Sequence, residues 1–135
     1  MPDFTGVAHV AVTVRDMEAT VAWWERLFGF KEVSRAYEPP GEQRHPRILI
    51  RHDASGLVLG IHQPYERSGD SFDPSRTGLD HISLSVAERS DLDRWMAFLD
   101  EQGVAHSPVR DLGHAAFITL EDPDGMQVEL WWANT

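Results

Sequence analysis

Two histidines and a glutamate, His9, His81 and Glu129, have the residue types and the places along the chain that could hold a metal ion. His9 stands fourth in "GVAHVAVTV" (6–14) and His81 fourth in "GLDHISLSV" (78–86), so one short chain writes nearly the same segment twice. Side chains alternate along a β-strand. In the first segment Val10, Val12 and Val14 therefore share one face, and His9, Ala11 and Thr13 the other. In the second, Ile82, Leu84 and Val86 oppose His81, Ser83 and Ser85; near the C-terminus, Val128 and Leu130 oppose Gln127, Glu129 and Trp131. Each histidine thus heads a row of small side chains, which suits a strand lining a cavity.

A carboxylate in mid-strand between Val128 and Leu130 is costly to bury unless it is paired or binds a cation. Two imidazoles and one carboxylate on one cavity form an open set of three ligands for a divalent metal, Fe, Mn, Zn, Ni or Co, with positions left for water and substrate. Its chemistry would be Lewis-acid or redox. Either histidine alone reads as a hydrogen-bonded core residue; the repeated position and the matching carboxylate favour the metal. His45, His52, His106 and His114, in loops or near strand ends, read as surface residues. Arg47, Leu49 and Arg51 alternate with Ile48 and Ile50, and on the cavity face the arginines would favour an anionic substrate.

The elements that would position these residues follow the same duplication. In "RDMEATVAWWERLFGF" Asp16 caps a helix at about 16–28 that Gly29 ends; in "AERSDLDRWMAFLDEQGV" Ser90 caps a helix at about 90–102 that Gly103 ends. Three strand-like runs follow each helix, at 30–37, 46–52 and 57–62 and at 104–109, 115–120 and 126–132. Each half reads βαβββ, with an Asp-x-x-Gly turn before its last strand in "HDASGLVLGI" and "EDPDGMQVEL". The fold class is α+β, a single domain over 1–135 made of module 1 at 4–63, a linker at 64–77 and module 2 at 78–135. The irregular stretch "YEPPGEQRHP" at 37–46 is a candidate lid or specificity loop, or a solvated connection. In the adjacent pairs Trp23/Trp24 and Trp131/Trp132, at most one ring can point fully into a single core face; Trp131 shares the face of Glu129 and could wall the cavity for an aromatic or apolar ligand.

Composition excludes other functions. At 135 residues, with 41% hydrophobic residues, the chain can bury a core as one domain. A formal net charge of -10 without a basic run argues against nucleic acid and anionic membrane surfaces. There is no cysteine, so thiolate chemistry, disulfides and Cys-ligated metals are excluded. No signal-like N-terminus or membrane-length apolar run of roughly 18 residues is present, and a cytoplasmic location is expected.

The paired βαβββ modules, the early histidine in each first strand and "EDPDGMQVELWW" resemble the vicinal oxygen chelate superfamily over nearly the whole chain. That superfamily includes glyoxalase I, extradiol dioxygenases, methylmalonyl-CoA epimerase, fosfomycin-resistance thiol transferases and metal-free bleomycin-binding proteins. The resemblance implies two modules forming a half-barrel cup, a homodimer, a small-molecule substrate that chelates the metal through adjacent oxygens, and isomerase, lyase or dioxygenase chemistry. It places the ligand positions at His9, Gly60, His81 and Glu129, Gly60 following from sliding "GLVLGIH" under "GMQVELW". Gly60 departs from glyoxalase I-like members, which need Glu or Gln there, so three ligands remain. Thr119 stands where dioxygenases of this type carry a Tyr, and Ala11 where the fosfomycin enzymes carry a Thr. His62, two residues beyond Gly60 on the same face, is a candidate general acid or base, or a solvated strand-end residue. Ala11, Gly60, Ser83, Gln127, Trp131 and Arg47 would line the substrate cavity. The alternative is a metal-free protein that sequesters an aromatic or drug-like ligand.

Overall fold

The computed structural model describes residues 1–36, 46–66 and 69–134. Of the candidate loop at 37–46, only Pro46 is among them; His45 lies outside the described residues. The elements are β1 (Val10–Thr13), α1 (Met17–Phe28), β2 (Lys31–Ala36), β3 (Arg47–Arg51), β4 (Val58–His62), β5 (His81–Ser85), α2 (Arg89–Glu101), β6 (Arg110–Asp111), β7 (Ala115–Glu121) and β8 (Gln127–Ala133). They form two compact units, Met1–Ser71 and Phe72–Thr135. Each unit holds one helix and a four-stranded mixed sheet, in the order β1-β4-β3-β2 and β5-β8-β7-β6. The fold is α+β, built from two βαβββ modules; neither sheet closes into a barrel.

In the first unit the helix starts where expected. Asp16 Oδ1 accepts from the Ala19 amide at 3.0 Å, satisfying a donor the first turn cannot, and Gly29, at φ 70°, supplies the left-handed stop. Its apolar stripe meets Ile48, Ile50, Leu59 and Ile61, all fully buried, each worth about 1.5–3 kcal/mol of burial. Trp24 is fully buried against Phe28 and Phe30, and Trp23 is also buried, edge-on to it at 5.1 Å. Both rings of the pair are therefore inside, against the expectation that one at most would be. The roughly 100° step of the helix still lets neighbours share a wide apolar stripe.

In the second unit the cap of α2 lies two residues earlier than expected. Glu88 is the N-cap, and the Asp91 side chain reaches back to the Glu88 amide at 2.9 Å; Ser90 is an exposed residue of the first turn. Gly103, at φ 69°, ends the helix as expected. The strand expected at 104–109 is absent as a ladder, and only Arg110–Asp111 pair, with Phe117 and Ala116. Pro108 offers no N–H to a ladder. Ser107 instead makes two isolated links: its amide donates to the Thr119 carbonyl at 2.8 Å, and its Oγ accepts from the Thr119 amide at 2.9 Å.

The turns before β4 and β8 differ in detail. Asp122, itself buried, accepts from the amides of Asp124 and Met126 through Oδ1, each at 2.9 Å, and Gly125 takes φ 89°. Burial raises the Asp122 carboxyl above the usual carboxylate range, while these amides pull the other way. In the first unit His52 takes that organising place, since its Nδ1 accepts from the Ser55 amide at 3.2 Å. Asp53 instead pairs with Lys31 at 3.0 Å. His52 is accordingly half-buried and not the surface residue expected.

Candidate functional site

The open face of each sheet, opposite its helix, is fixed by alternation and register. In the second unit three cross-strand rows run His81–Gln127–Glu121, Ser83–Glu129–Thr119 and Ser85–Trp131–Phe117. Along β5, His81, Ser83 and Ser85 are exposed while Ile82 and Leu84 are half-buried, as the sequence pattern requires.

Glu129 is the one charged side chain of these rows that is buried, at 6% exposure. Its Oε1 accepts from Gln127 Nε2 at 2.8 Å, and its Oε2 lies 3.5 Å from His81 Nε2. That second separation is long for a hydrogen bond. It is close to the spacing of two ligands that share one cation at about 2.0–2.3 Å. His81 Nδ1 is 2.7 Å from Asp80 Oδ2, so the ring donates there and turns the lone pair of Nε2 toward Glu129. A carboxylate behind the imidazole is the arrangement that fixes the tautomer and raises the basicity of metal-binding histidines. The pair fits a divalent cation: one oriented nitrogen, one dry carboxylate oxygen, and Gln127 holding the other oxygen.

Among the described residues no three His, Asp or Glu side chains stand together ready to hold a metal. His9 is exposed, immediately precedes β1, and belongs to the first unit. In that unit Val10 pairs with Leu59 and Ala11 with Gly60, just as Ile82 pairs with Val128 and Ser83 with Glu129. Gly60 is therefore the register equivalent of Glu129. A Cβ on Gly60 would lie 3.2 Å from Ala11 Cβ, 3.3 Å from His62 Nε2 and 3.4 Å from Leu49 Cδ2. The His62 ring thus folds back across Gly60, and Arg47 pairs with His62 from the neighbouring strand.

Two residues beside Glu129 escape the sequence reading. Asp80 had a signal, a carboxylate immediately before His81, but the first segment has Ala8 there and so the duplication does not mark it. Phe117 lies two residues before Thr119 on the same face and stacks on Trp131, centroids 5.2 Å apart and planes at 18°. A cavity of about 510 Å³ is lined by Thr119, Glu121 and Gln127 from the open face and by Val104, His106 and Asp122, a size suited to a small molecule. His106 is a further correction. Its side chain is 12% exposed, with Nε2 2.8 Å from Asp100 Oδ1 and Nδ1 2.8 Å from the Ser107 carbonyl. Of the peripheral histidines among the described residues, only His114 is exposed as expected.

The fold defines a vicinal oxygen chelate protein. The chain belongs to the Glyoxalase/Bleomycin resistance protein/Dioxygenase superfamily, whose pattern it matches over residues 6–130. It is 25% identical over 135 residues to a catechol-2,3-dioxygenase of Bacillus subtilis (strain 168); the match covers 94% of this chain but 41% of that one, about two fifths of the relative's length. A glyoxylase/bleomycin resistance protein/dioxygenase domain from Frankia sp. EAN1pec superposes with a TM-score of 0.85 at 27% identity, covering 97% and 99% of the two chains. The fosfomycin resistance protein FosX of Listeria monocytogenes, solved with Mn(II) and sulfate, gives 0.70 at 19% identity over 97% and 94% of the chains, a likeness of fold alone. Among the described residues no helix is long and apolar enough to cross a membrane.

Proposed function

We propose that the protein is a small metal-dependent enzyme in which His81, Glu129 and His9, the last from the same chain or a second copy, hold one divalent metal, and that its substrate offers two adjacent oxygens. The observation that carries this reading is the buried Glu129 carboxylate facing an imidazole that Asp80 has already oriented. A bound divalent ion supplies Lewis-acid stabilisation of negative charge developing on those oxygens. The protein's own part is to keep the set open and its carboxylate buried. Gly60 brings no fourth carboxylate, Ser83 and Thr119 flank Glu129 with small side chains, and the stacked Phe117 and Trp131 form the next row of the same face. On this reading the enzyme acts in the cytoplasm as a homodimer. Isomerase or lyase chemistry is favoured over dioxygenation, since Thr119 in place of a tyrosine offers no phenol beside Glu129.

Metal titration of the stripped protein by calorimetry with Co(II) and Mn(II) tests the site. One ion per chain is expected, with binding abolished in Glu129→Ala and His81→Ala and weakened in His9→Ala. Undiminished binding in all three variants overturns the reading. The Phe117–Trp131 wall favours a second one, a metal-free protein that holds an aromatic ligand. In that case an aromatic ligand binds equally to the stripped protein and to Glu129→Ala.

A further inference from the structure

We propose that the cavity lined by Thr119, Glu121 and Gln127 is a subsite for an ammonium group of the substrate.

The cavity forms where the edge of the second sheet opens. Ser107 is linked to Thr119 by two bonds, but the chain just before it is held by α2, the Val104 amide donating to the Leu99 carbonyl at 2.9 Å. Thr119 turns its N–H and C=O toward Ser107, so Glu121, two residues on in the same strand, turns its own the same way. Outside the ladder with β8, no described residue bonds them. The edge pairing therefore stops at Thr119, and the space beyond it, about 510 Å³, is bordered by Val104, His106 and Glu121.

Two observations select the occupant. The first is the inventory of hydrogen-bonding groups. Glu129, a carboxylate that only accepts, draws Gln127 Nε2 to 2.8 Å and so leaves Gln127 Oε1 as an acceptor with no partner among the described residues. The Glu121 carboxylate and the Thr119 hydroxyl have none either. Both His106 nitrogens are taken, by Asp100 and by the Ser107 carbonyl. Acceptors thus outnumber donors, which fits a group rich in N–H. Charge is the second observation. Glu121 and Asp122 both border the cavity, while its one cation-forming group, His106, already faces Asp100 at 2.8 Å. Asp122 is 6% exposed, and burial holds its carboxyl above the usual carboxylate range with no cation beside it to offset that cost. An ammonium here gains charge-assisted bonds and balances the carboxylates. A metal ion is the poorer occupant, since no three described His, Asp or Glu side chains stand together to hold one.

The cavity adjoins the metal-binding pair proposed above. Gln127 bonds Glu129, Thr119 is the cross-strand neighbour of Glu129, and Glu121 stands about 7 Å further along the same strand. A substrate whose adjacent oxygens lie at Glu129 reaches Glu121 with an amine a few bonds away.

The assignment rests on the enzyme reading only for the molecule that carries the ammonium, so the test uses metal-stripped protein. Ethanolammonium, ethylene glycol and glycolate, similar in size and different in charge, are titrated separately at one ionic strength while the Thr119 and Glu121 amides and the Gln127 side-chain amide are followed by NMR. Ethanolammonium is expected to move each of these signals saturably, with ethylene glycol about tenfold weaker and glycolate without effect. In Glu121→Gln, which keeps the size and removes the charge, ethanolammonium affinity should fall about tenfold; Thr119→Val should lose severalfold. The proposal is overturned if ethanolammonium leaves the signals unmoved, if ethylene glycol or glycolate binds as tightly, or if Glu121→Gln binds as the parent does. Ethanolammonium binding by a protein that takes up no Co(II) would uphold this subsite and sink the metal reading, whereas Co(II) uptake without ethanolammonium binding would do the reverse.

Discussion

Gly60 and Glu129 occupy one register position in two sheets of the same strand order, yet one is a bare backbone and the other a buried carboxylate. The difference has a local cause in the first unit. Space above Gly60 is already taken by the His62 ring, Ala11 and Leu49, so a side chain there competes with all three. Gly60→Ala places a methyl against Ala11 Cβ and His62 Nε2 at distances tighter than ordinary packing. A loss of about 1–3 kcal/mol in urea unfolding is expected, together with displaced His62 NMR signals and unchanged Co(II) affinity. A Gly60→Ala variant as stable as the parent, with His62 signals unmoved, would show that the ring does not rest there.

Asp80 carries the second prediction. Its carboxylate fixes His81 with Nδ1 protonated, so Asp80→Asn keeps the size but weakens the acceptor and lets the ring choose either tautomer. Metal affinity should fall about 10–100-fold, less than the abolition expected for His81→Ala, while unfolding in the metal-free state changes little because the Asp80–His81 pair is largely exposed. Calorimetric titration of both variants separates the two degrees of loss. Parent-like affinity in Asp80→Asn would remove Asp80 from the site.

What the sequence made legible depended on how local each signal is. Asp16, Gly29 and Gly103 delimit helices by backbone geometry that a few neighbouring residues decide, and the structure agrees at all three. Duplication made the Gly60–Glu129 equivalence readable before any register was known. The start of α2 was misread because Ser90 has the better capping propensity, whereas the Asp91 side chain satisfies the amide of Glu88. At 104–109, Val104 and Val109 suggested a strand, but Pro108 removes a donor and Ser107 holds the edge by two bonds. Asp80, Phe117 and His106 have no counterpart in the first segment. Their partners, an imidazole lone pair, a stacked Trp131 and a carboxylate on α2, become visible only when strands are paired and the helix is laid beside them.

The last prediction concerns His106, whose two ring nitrogens both face acceptors, the Ser107 carbonyl and the Asp100 carboxylate. An imidazole satisfies both only when both nitrogens carry hydrogens. The Ser107 carbonyl, and with it Asp100, accordingly holds the imidazolium above the usual histidine value, against partial burial that acts the other way. A group whose folded value is raised contributes stability that is complete below its unfolded value, about 6.5, and that is lost as pH climbs through the folded value. Urea midpoints should therefore fall as pH rises from about 6.5 into the alkaline range, and the fall should be shallower in His106→Gln, which cannot gain or lose the proton. Glu121 and Asp122 also border this cavity, but both are present in the parent and in His106→Gln, so the difference between the two proteins isolates His106. Because His106 ties the end of α2 to the segment before β6, exchange of amide hydrogens at 104–107 should quicken over the same pH range in the parent alone, beyond the ordinary base catalysis seen in both. Identical pH profiles for parent and His106→Gln would mean that the proton on His106 does not hold this corner of the fold.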